Sequence, residues 1–285
     1  MTPDDELETR MIDLVRRVCR EHPSCHDPEA LATALGLRTL RGDLAEWEGG
    51  LVGDAVVVDP SRPARRALFT AYHEIAHHLI RRDDSLLALL HDQYPRQEDF
   101  ERTCERLCNI GAAEFLVPRD LVVRTWRERG FGIRLVPVLY DATGASATAV
   151  CVQLGLLAPH ACVAVVARMV RMVDGEQAAL LLGAEERTGL AVDVSVSSRS
   201  MKYSVARGTP IPPGHLLHTA ARAHEREVVA GKDRIPFRTG RAWVVDCEAL
   251  RLRSQVFALF HANRKPDWNP DQVLLPFGSG SPWGL

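Results

Sequence analysis

Two histidines and a glutamate, arranged as His-Glu-x-x-His at residues 73–77, are the side chains best placed to do chemistry in this chain of 285 residues. On a helix, His73 and His77 lie one above the other on the same face, so both imidazoles can bind one divalent metal ion. Glu74 then lies beside the water that the metal activates. The pattern is typical of zinc-dependent peptide hydrolases, in which the glutamate accepts the water's proton.

The surrounding residues predict the helix that this geometry needs. Apolar residues recur at helical spacing and would bury one side of the segment, leaving His73 and His77 on a different face. Two buried imidazoles need partners, and one metal ion would satisfy both at once. The apolar residues are Leu68, Phe69, Tyr72, Ile75, Ala76 and Leu79.

A catalytic zinc usually has three protein ligands, so a third must come from further along the chain. Residues 100–118 predict a second helix that ends near Pro118. Within it we favour Glu105, because small residues about one turn later would let this helix approach the first. Glu114 is the main competitor. Three further acids are candidates whose simplest explanation is a solvated helix face: Glu98, Asp99 and Glu101.

At these residues the chain resembles the IrrE (PprI) regulatory metallopeptidases of Deinococcus, within the broader ImmA/IrrE peptidase family. The resemblance extends past the metal motif and covers about residues 5 to 265. The matching segments are 73–80, 82–87, 91–94, Glu105-Arg106-Leu107-Cys108-Asn109, 197–203, 208–212 and 235–241.

This resemblance implies a ligand set of His73, His77 and Glu105, with Glu74 as general base, in a zinc-type, gluzincin-like metallopeptidase. Mn²⁺ accepts the same donors as Zn²⁺, so the sequence leaves the metal open between them. It also implies a narrow protein substrate, a helix-turn-helix transcriptional repressor of the DdrO type. Cleavage of that repressor would induce the DNA-damage response to radiation and desiccation.

A second hypothesis is a DNA-binding or ligand-sensing transcriptional regulator whose peptidase site is vestigial. Residues 145–156, ASATAVCVQLGL, resemble a helix-turn-helix recognition unit. No Lys or Arg lies between Ala145 and Ala161, however, so phosphate contacts would have to come from elsewhere. Direct DNA binding therefore ranks below proteolysis.

The expected fold class is α+β with several domains. We predict a mainly helical, zincin-like peptidase domain at 1–118 and a helical, helix-turn-helix-like domain at 119–170. An α/β, GAF-like sensor domain would follow at 171–265, with an unidentified small ligand, and an irregular tail at 266–285. Residues 51–58 read as one strand, which as an edge strand could hold an extended substrate; a proline near Ala55 should then slow cleavage.

The remaining elements follow from periodicity. Helices are expected at 5–20, 28–35, 120–129, 135–140, 145–156 and 218–228. Strands are expected at 191–197, 243–246 and 255–260.

The composition of the chain indicates the compartment in which it acts and the partners that its charge disfavours. The net charge of -2 gives no general field for nucleic acid. Seven cysteines without CxxC pairs favour a reducing cytoplasm, and Cys104 with Cys108 form an alternative metal or redox pair. The acidic start and the absence of a long apolar run predict a cytoplasmic protein without a membrane span. His91, Tyr94 and Arg124 are unranked candidates for stabilising the oxyanion.

Overall fold

The computed structural model describes residues 3–42, 49–61, 63–172, 187–237 and 243–262. Within them the fold is a mixture of helices and two β-sheets, which confirms the α+β class. The chain forms two compact units. The first holds the described residues of Met1–Leu121 and Ala142–Ser146, and the second holds those of Val122–Asp141 and Ala147–Gln272.

The first unit is built from helices and one small sheet of strand order β1-β3-β2. The predicted helices at 5–20, 28–35 and 100–118 are confirmed, whereas the helix at Asp84–Gln93 and the strand at Arg38–Arg41 were not predicted. The elements are α1 (Pro3–Glu21), α2 (Pro28–Ala34), β1 (Arg38–Arg41), β2 (Gly49–Val52), β3 (Ala55–Val58), α3 (Ala64–Arg82), α4 (Asp84–Gln93) and α5 (Gln97–Leu116).

The prediction of one strand at 51–58 is wrong, because the segment folds into the hairpin of β2 and β3. Val52 pairs with Ala55 across a two-residue turn, and Gly53 has a φ of 63°, which a glycine adopts without strain. β3 lies in the centre of the sheet, parallel to β1 and antiparallel to β2. A proline at Ala55 would therefore disrupt the sheet, and β1 and β2 are the strands at its two edges.

Helix α5 packs closely against α3 because a glycine lies where the two helices approach. A Cβ atom on Gly111 would lie 3.1 Å from the Cβ of Ala76 and 2.5 Å from the Cε of Met11 in α1. One turn away, the ring of Tyr72 stacks on that of Phe115 with centroids 5.0 Å apart. The small residues predicted to permit this approach thus do so, and the facing surfaces of α3 and α5 are held at short range.

Asp83 joins the end of α3 to the start of α4, and its loss is expected to destabilise the protein. Its carboxylate accepts from the N–H of Leu86 at 3.0 Å, from the Ser85 hydroxyl at 2.6 Å and from Arg17 at 2.8 Å. Burial acts to raise the pKa of Asp83, but these donors outweigh it and lower the pKa. Asp83→Ala should lower the free energy of unfolding at pH 7 by about 1 kcal/mol, as for other N-caps.

This effect should depend on pH in a defined direction. A carboxyl whose pKa is lowered by folding stabilises the protein above its unfolded pKa, about 3.9 for Asp, and loses that contribution as the pH falls through the folded value. Urea unfolding should therefore show the gap between wild type and Asp83→Ala narrowing below about pH 4. Asp84→Ala, at an exposed neighbour, is the control. A gap that persists unchanged into acid would contradict the capping role.

The second unit contains a five-stranded antiparallel sheet of order β5-β4-β8-β7-β6. Strands predicted at 191–197, 243–246 and 255–260 are confirmed, as are the three helices predicted between 120 and 156. The elements are α6 (Arg119–Arg129), most of which belongs to this unit, α7 (Leu135–Ala142), α8 (Ala147–Leu156), β4 (Cys162–Met172), β5 (Arg187–Ser197), α9 (Leu216–Arg222), β6 (Val228–Arg234), β7 (Val244–Leu252) and β8 (Gln255–His261).

Two predictions for this unit need correction. Residues 119–170 are not helical throughout, because β4 begins at Cys162; its run of β-branched residues favours a strand. The helix predicted at 218–228 is α9, which ends at Arg222, and β6 begins at Val228.

Helices cover both faces of this sheet. α9 packs on one face, where Leu217 and Ala220 join an apolar core with Val163 and Phe260. α8 packs on the other face, where a Cβ atom on Gly155 would lie 2.6 Å from a methyl group of Val196 and 2.7 Å from the Cβ of Ala164. Alternate residues of β4 therefore face two different environments.

The predicted irregular tail at 266–285 lies outside the described residues, as do residues 238–241 of the resemblance. Among the described helices, none has the length and apolar character needed to cross a bilayer.

Candidate metal centre

Helices α3 and α5 bring together the three side chains predicted to bind metal. The Nε2 atom of His73 lies 3.2 Å from one carboxylate oxygen of Glu105, and the Nε2 atom of His77 lies 3.1 Å from the other. Ligands about 2.1 Å from a tetrahedral ion are separated by about 3.4 Å, so these spacings suit one small cation. The Glu105 side chain is 58% exposed whereas those of the histidines are near 15%, so the group is accessible to solvent.

The hydrogen bond of His73 shows why a cation fits this group. The Nδ1 atom of His73 lies 3.1 Å from the side-chain oxygen of Asn109, which can only accept, so Nδ1 carries the proton. In the neutral ring Nε2 then presents a lone pair toward the Glu105 carboxylate. Two acceptors at this distance repel each other unless a positive charge lies between them, and a bound cation or a proton supplies that charge. Asn109 was not predicted as a site residue; it lies four residues after Glu105 and on the same helix face.

Glu74 is buried beside the two histidines. Its side chain accepts a hydrogen bond from the backbone N–H of Leu51 in β2. Burial raises the pKa of Glu74, and Glu105 adds to the rise, while His73 and His77 partly offset it. The site thus holds a carboxylate whose basicity exceeds that of an exposed glutamate.

The edge of the small sheet positions that hydrogen bond. Because Val52 and Ala55 close the hairpin, Leu51 lies opposite Val56 in a pair whose backbone groups point away from each other. The N–H of Leu51 therefore points out from the edge of the sheet, toward Glu74. The predicted strand beside the metal motif is present, but β2 provides the edge.

The other acids considered as third ligands have different partners. Glu98 and Asp99 pair with Arg102, and Glu101 accepts from Gln97, all near the start of α5. Glu114 is buried and pairs with Arg16 and Arg119. Glu105 is the acid that lies between both histidines.

Cys104 and Cys108 lie beside His77 and form a second set of donors. The Sγ atom of Cys104 lies 3.9 Å from Nδ1 of His77. A hydrogen bond from Cys108, assisted by His77, lowers the pKa of Cys104 to about 5, although burial opposes the shift. Burial lowers the pKa of His77, but Cys104, Glu105 and Glu74 together raise it. This pair was predicted as an alternative metal or redox pair, and donor atoms of both cysteines lie within 4.8 Å of one from His77.

Two of the three candidates for stabilising the oxyanion have described contacts elsewhere, and the third lies in the other compact unit. The Tyr94 hydroxyl donates to Asp4 at 2.6 Å, and the His91 ring stacks on Phe100. Arg124 is exposed in α6, within the second compact unit. No member of this set is favoured by the geometry.

The region that holds this site is similar to a known family of peptidases. Residues 32–154 match the model of a peptidase family described as the IrrE N-terminal-like domain. The chain is 36% identical over 211 residues to the radiation response metalloprotease IrrE of Deinococcus deserti, covering 72% of this chain and 71% of that protein. It is 30% identical to the protein of the same name from Deinococcus radiodurans, covering 73% of this chain and 62% of that one.

One solved structure shares the fold at low sequence identity. A transcriptional regulator of Mycobacterium tuberculosis superposes with a TM-score of 0.54 and 14% identity, over 91% of this chain and 81% of that one. At this identity the likeness concerns the fold alone.

Proposed function

Because this chain belongs to the IrrE family of metallopeptidases, we propose that it is a site-specific endopeptidase that cleaves a helix-turn-helix transcriptional repressor of the DdrO type. Removal of the repressor would induce genes of the response to radiation and desiccation damage. The relatives are named for a radiation response, which supports this biological setting. A repressor acts on DNA inside the cell, so we place the reaction in the cytoplasm.

The observation that carries the proposal is the convergence of His73, His77 and Glu105 from two helices with Glu74 buried beside them. We assign the first three as metal ligands and Glu74 as general base. Two imidazoles, one carboxylate and an accessible fourth position suit Zn²⁺, and Mn²⁺ can use the same donors.

Different residues of the chain would then bind the metal, transfer the proton and hold these groups in position. A metal ion held here would polarise the scissile carbonyl and lower the pKa of water. Glu74 accepts a proton from the attacking water and returns it to the leaving amine. The N–H of Leu51 holds the Glu74 carboxylate in place, and Asn109 keeps the proton of His73 on Nδ1 so that Nε2 faces the site.

The direct test is incubation of the purified full-length chain with purified repressor and either Zn²⁺ or Mn²⁺. We expect the repressor to be cut at one position or a few, as read by intact mass, while unfolded casein remains whole. A chelator should stop the reaction, and returning the metal should restore it. An intact repressor after prolonged incubation with either metal would exclude the proposed substrate.

Asn109 should govern metal affinity without touching the metal. Asn109→Ala removes the acceptor that orients His73, so we expect the affinity for metal to fall by about 10-fold or more. Competition with a chromophoric chelator measures this affinity. Asn109→Asp keeps an oxygen acceptor and should recover most of the affinity. Gln97→Ala, at the start of the same helix, is the control. Equal affinity in Asn109→Ala and wild type would remove Asn109 from the site.

The alternative function, direct DNA binding, receives less support from the second unit. Each residue of α8 is buried or partly buried, and the helix packs on β4 and β5 near Gly155. A recognition helix needs an exposed face with side chains for base edges and phosphates. Tight, salt-sensitive binding of promoter DNA without proteolysis would reverse this ranking.

We also propose that the second unit is a GAF-like sensor domain whose small ligand is unidentified. Its five-stranded antiparallel sheet with helices on both faces supports such a domain.

A further inference from the structure

A second group of metal-binding side chains lies in the second compact unit, apart in sequence from the peptidase motif. His160, Cys162 and His261 place one nitrogen or sulfur donor each within 4.8 Å of the others. Cys162 is fully buried, His261 is 2% exposed and His160 is partly exposed. The group therefore has a buried interior and one member that reaches the surface.

The sheet register creates this group. Cys162 begins β4 and His261 ends β8, and the two residues are directly paired, so their side chains lie on the same face. This is the face opposite the apolar core that contains Val163 and Phe260. His160 lies two residues before Cys162, and its Nε2 atom is 2.7 Å from Nδ1 of His261.

The backbone around these donors is fixed by a buried serine. The hydroxyl of Ser198 donates to the carbonyl of His160 at 2.8 Å and accepts from the N–H of Cys162 at 3.0 Å. Ser198 is itself fully buried. The short segment that carries two of the three donors is thus held in one conformation, as a preorganised site requires.

The carboxylate of Glu248 lies near His261 at an ion-pair distance, which is longer than a hydrogen bond. One oxygen of Glu248 is 3.9 Å from Nε2 of His261, and the other accepts from the N–H of Ile133 at 3.0 Å. Histidines that bind metal commonly direct their second ring nitrogen toward a carboxylate, which fixes the tautomer. With the proton of His261 on Nε2, its Nδ1 faces His160 as a lone pair.

We propose that His160, Cys162 and His261 form a second metal site that binds one borderline divalent ion of the Zn²⁺ class. Two imidazoles and a thiolate suit Zn²⁺, whereas Mg²⁺ prefers oxygen donors. Binding releases the thiol proton of Cys162 to solvent and shifts the proton of His160 from Nε2 to Nδ1 by exchange with water. The hydrogen bond between the two imidazoles is then replaced by two nitrogen–metal bonds. The partly exposed side of His160 gives the ion its entry and leaves a fourth position for water.

Cobalt binding to the full-length chain tests this site. The His77→Ala background removes the donor shared by both groups near the peptidase motif, His73 with Glu105 and Cys104 with Cys108. In that background Co²⁺ should still bind and give the near-ultraviolet absorption of a cobalt–thiolate bond. Added Zn²⁺ should abolish the absorption by displacement. A His77→Ala protein that shows no such absorption overturns the proposal.

Matched variants identify the sulfur and guard against misfolding. Adding Cys162→Ser should remove the absorption, whereas Cys247→Ser, equally buried but in the apolar core on the other face, should retain it. Adding His160→Ala, at the more exposed ligand, should weaken Co²⁺ binding by more than about 10-fold with the circular dichroism spectrum unchanged. If Cys162→Ser fails to fold, the His160→Ala result decides. Unaltered affinity there, or unaltered absorption in folded Cys162→Ser, counts against the site.

Discussion

Glu74→Gln is expected to lower the rate of repressor cleavage by about 10²- to 10⁴-fold while bound metal stays at the wild-type level. The amide has the size and shape of the carboxylate but cannot accept a proton from the attacking water. The proposed ligands His73, His77 and Glu105 remain in place, so metal binding should persist. Burial raises the pKa of Glu74 in the chain without metal, and a divalent cation bound beside it would act in the opposite direction.

The experiment pairs two measurements on each protein: initial cleavage rate and metal content after dialysis. Glu101→Gln makes the same chemical change at an exposed acid that pairs with Gln97, and it should alter neither. If Glu74→Gln cleaves the repressor as fast as wild type, Glu74 is not the base. If it loses metal as well as activity, the assignment must change from base to a role in holding the ligands.

The sequence predicted the part of this site that local geometry determines. His73 and His77 share a helix face by spacing alone, and Glu105 was selected because small residues follow it. The close approach of Gly111 to Ala76 brings α5 near enough to α3 for Glu105 to lie beside both histidines. Asn109 and Leu51 were not predicted, because their roles depend on where a second helix and a strand edge lie in space. No spacing in one segment encodes those distances.

Errors in the fold have a similar origin. The apolar run at 51–58 resembles one continuous strand, but it forms a hairpin. The dipeptide Gly53-Asp54 within it is typical of a two-residue turn. The predicted helical domain at 119–170 includes most of β4, although the β-branched residues of β4 favour a strand. His160 and Cys162 are close in the sequence, but His261 lies near them only because β4 pairs with β8. Long-range register is the information that the sequence lacked.

The two glutamates that competed for the third ligand position should separate cleanly under mutation. Glu114 is 3% exposed and lies 3.2 Å from Nε of Arg16 and 3.6 Å from Nε of Arg119, so its environment is a buried ion pair. Glu114→Ala removes the carboxylate that the two arginines share, although Arg16 keeps its ion pair with Asp120 at 2.9 Å. We expect it to lower the free energy of unfolding by about 3 kcal/mol, the lower end for a buried pair, because Arg16 is partly exposed.

Glu105→Ala should behave in the opposite way. Its side chain is largely exposed, so unfolding of the metal-free protein should change by no more than about 0.5 kcal/mol. Most of the bound metal and the cleavage activity should be lost, because two imidazoles alone hold the ion weakly. Chemical unfolding with chelator present and metal analysis after dialysis give both readouts for both variants. Normal metal content in Glu105→Ala would remove it from the ligand set, and metal loss in a still-folded Glu114→Ala would put Glu114 in its place.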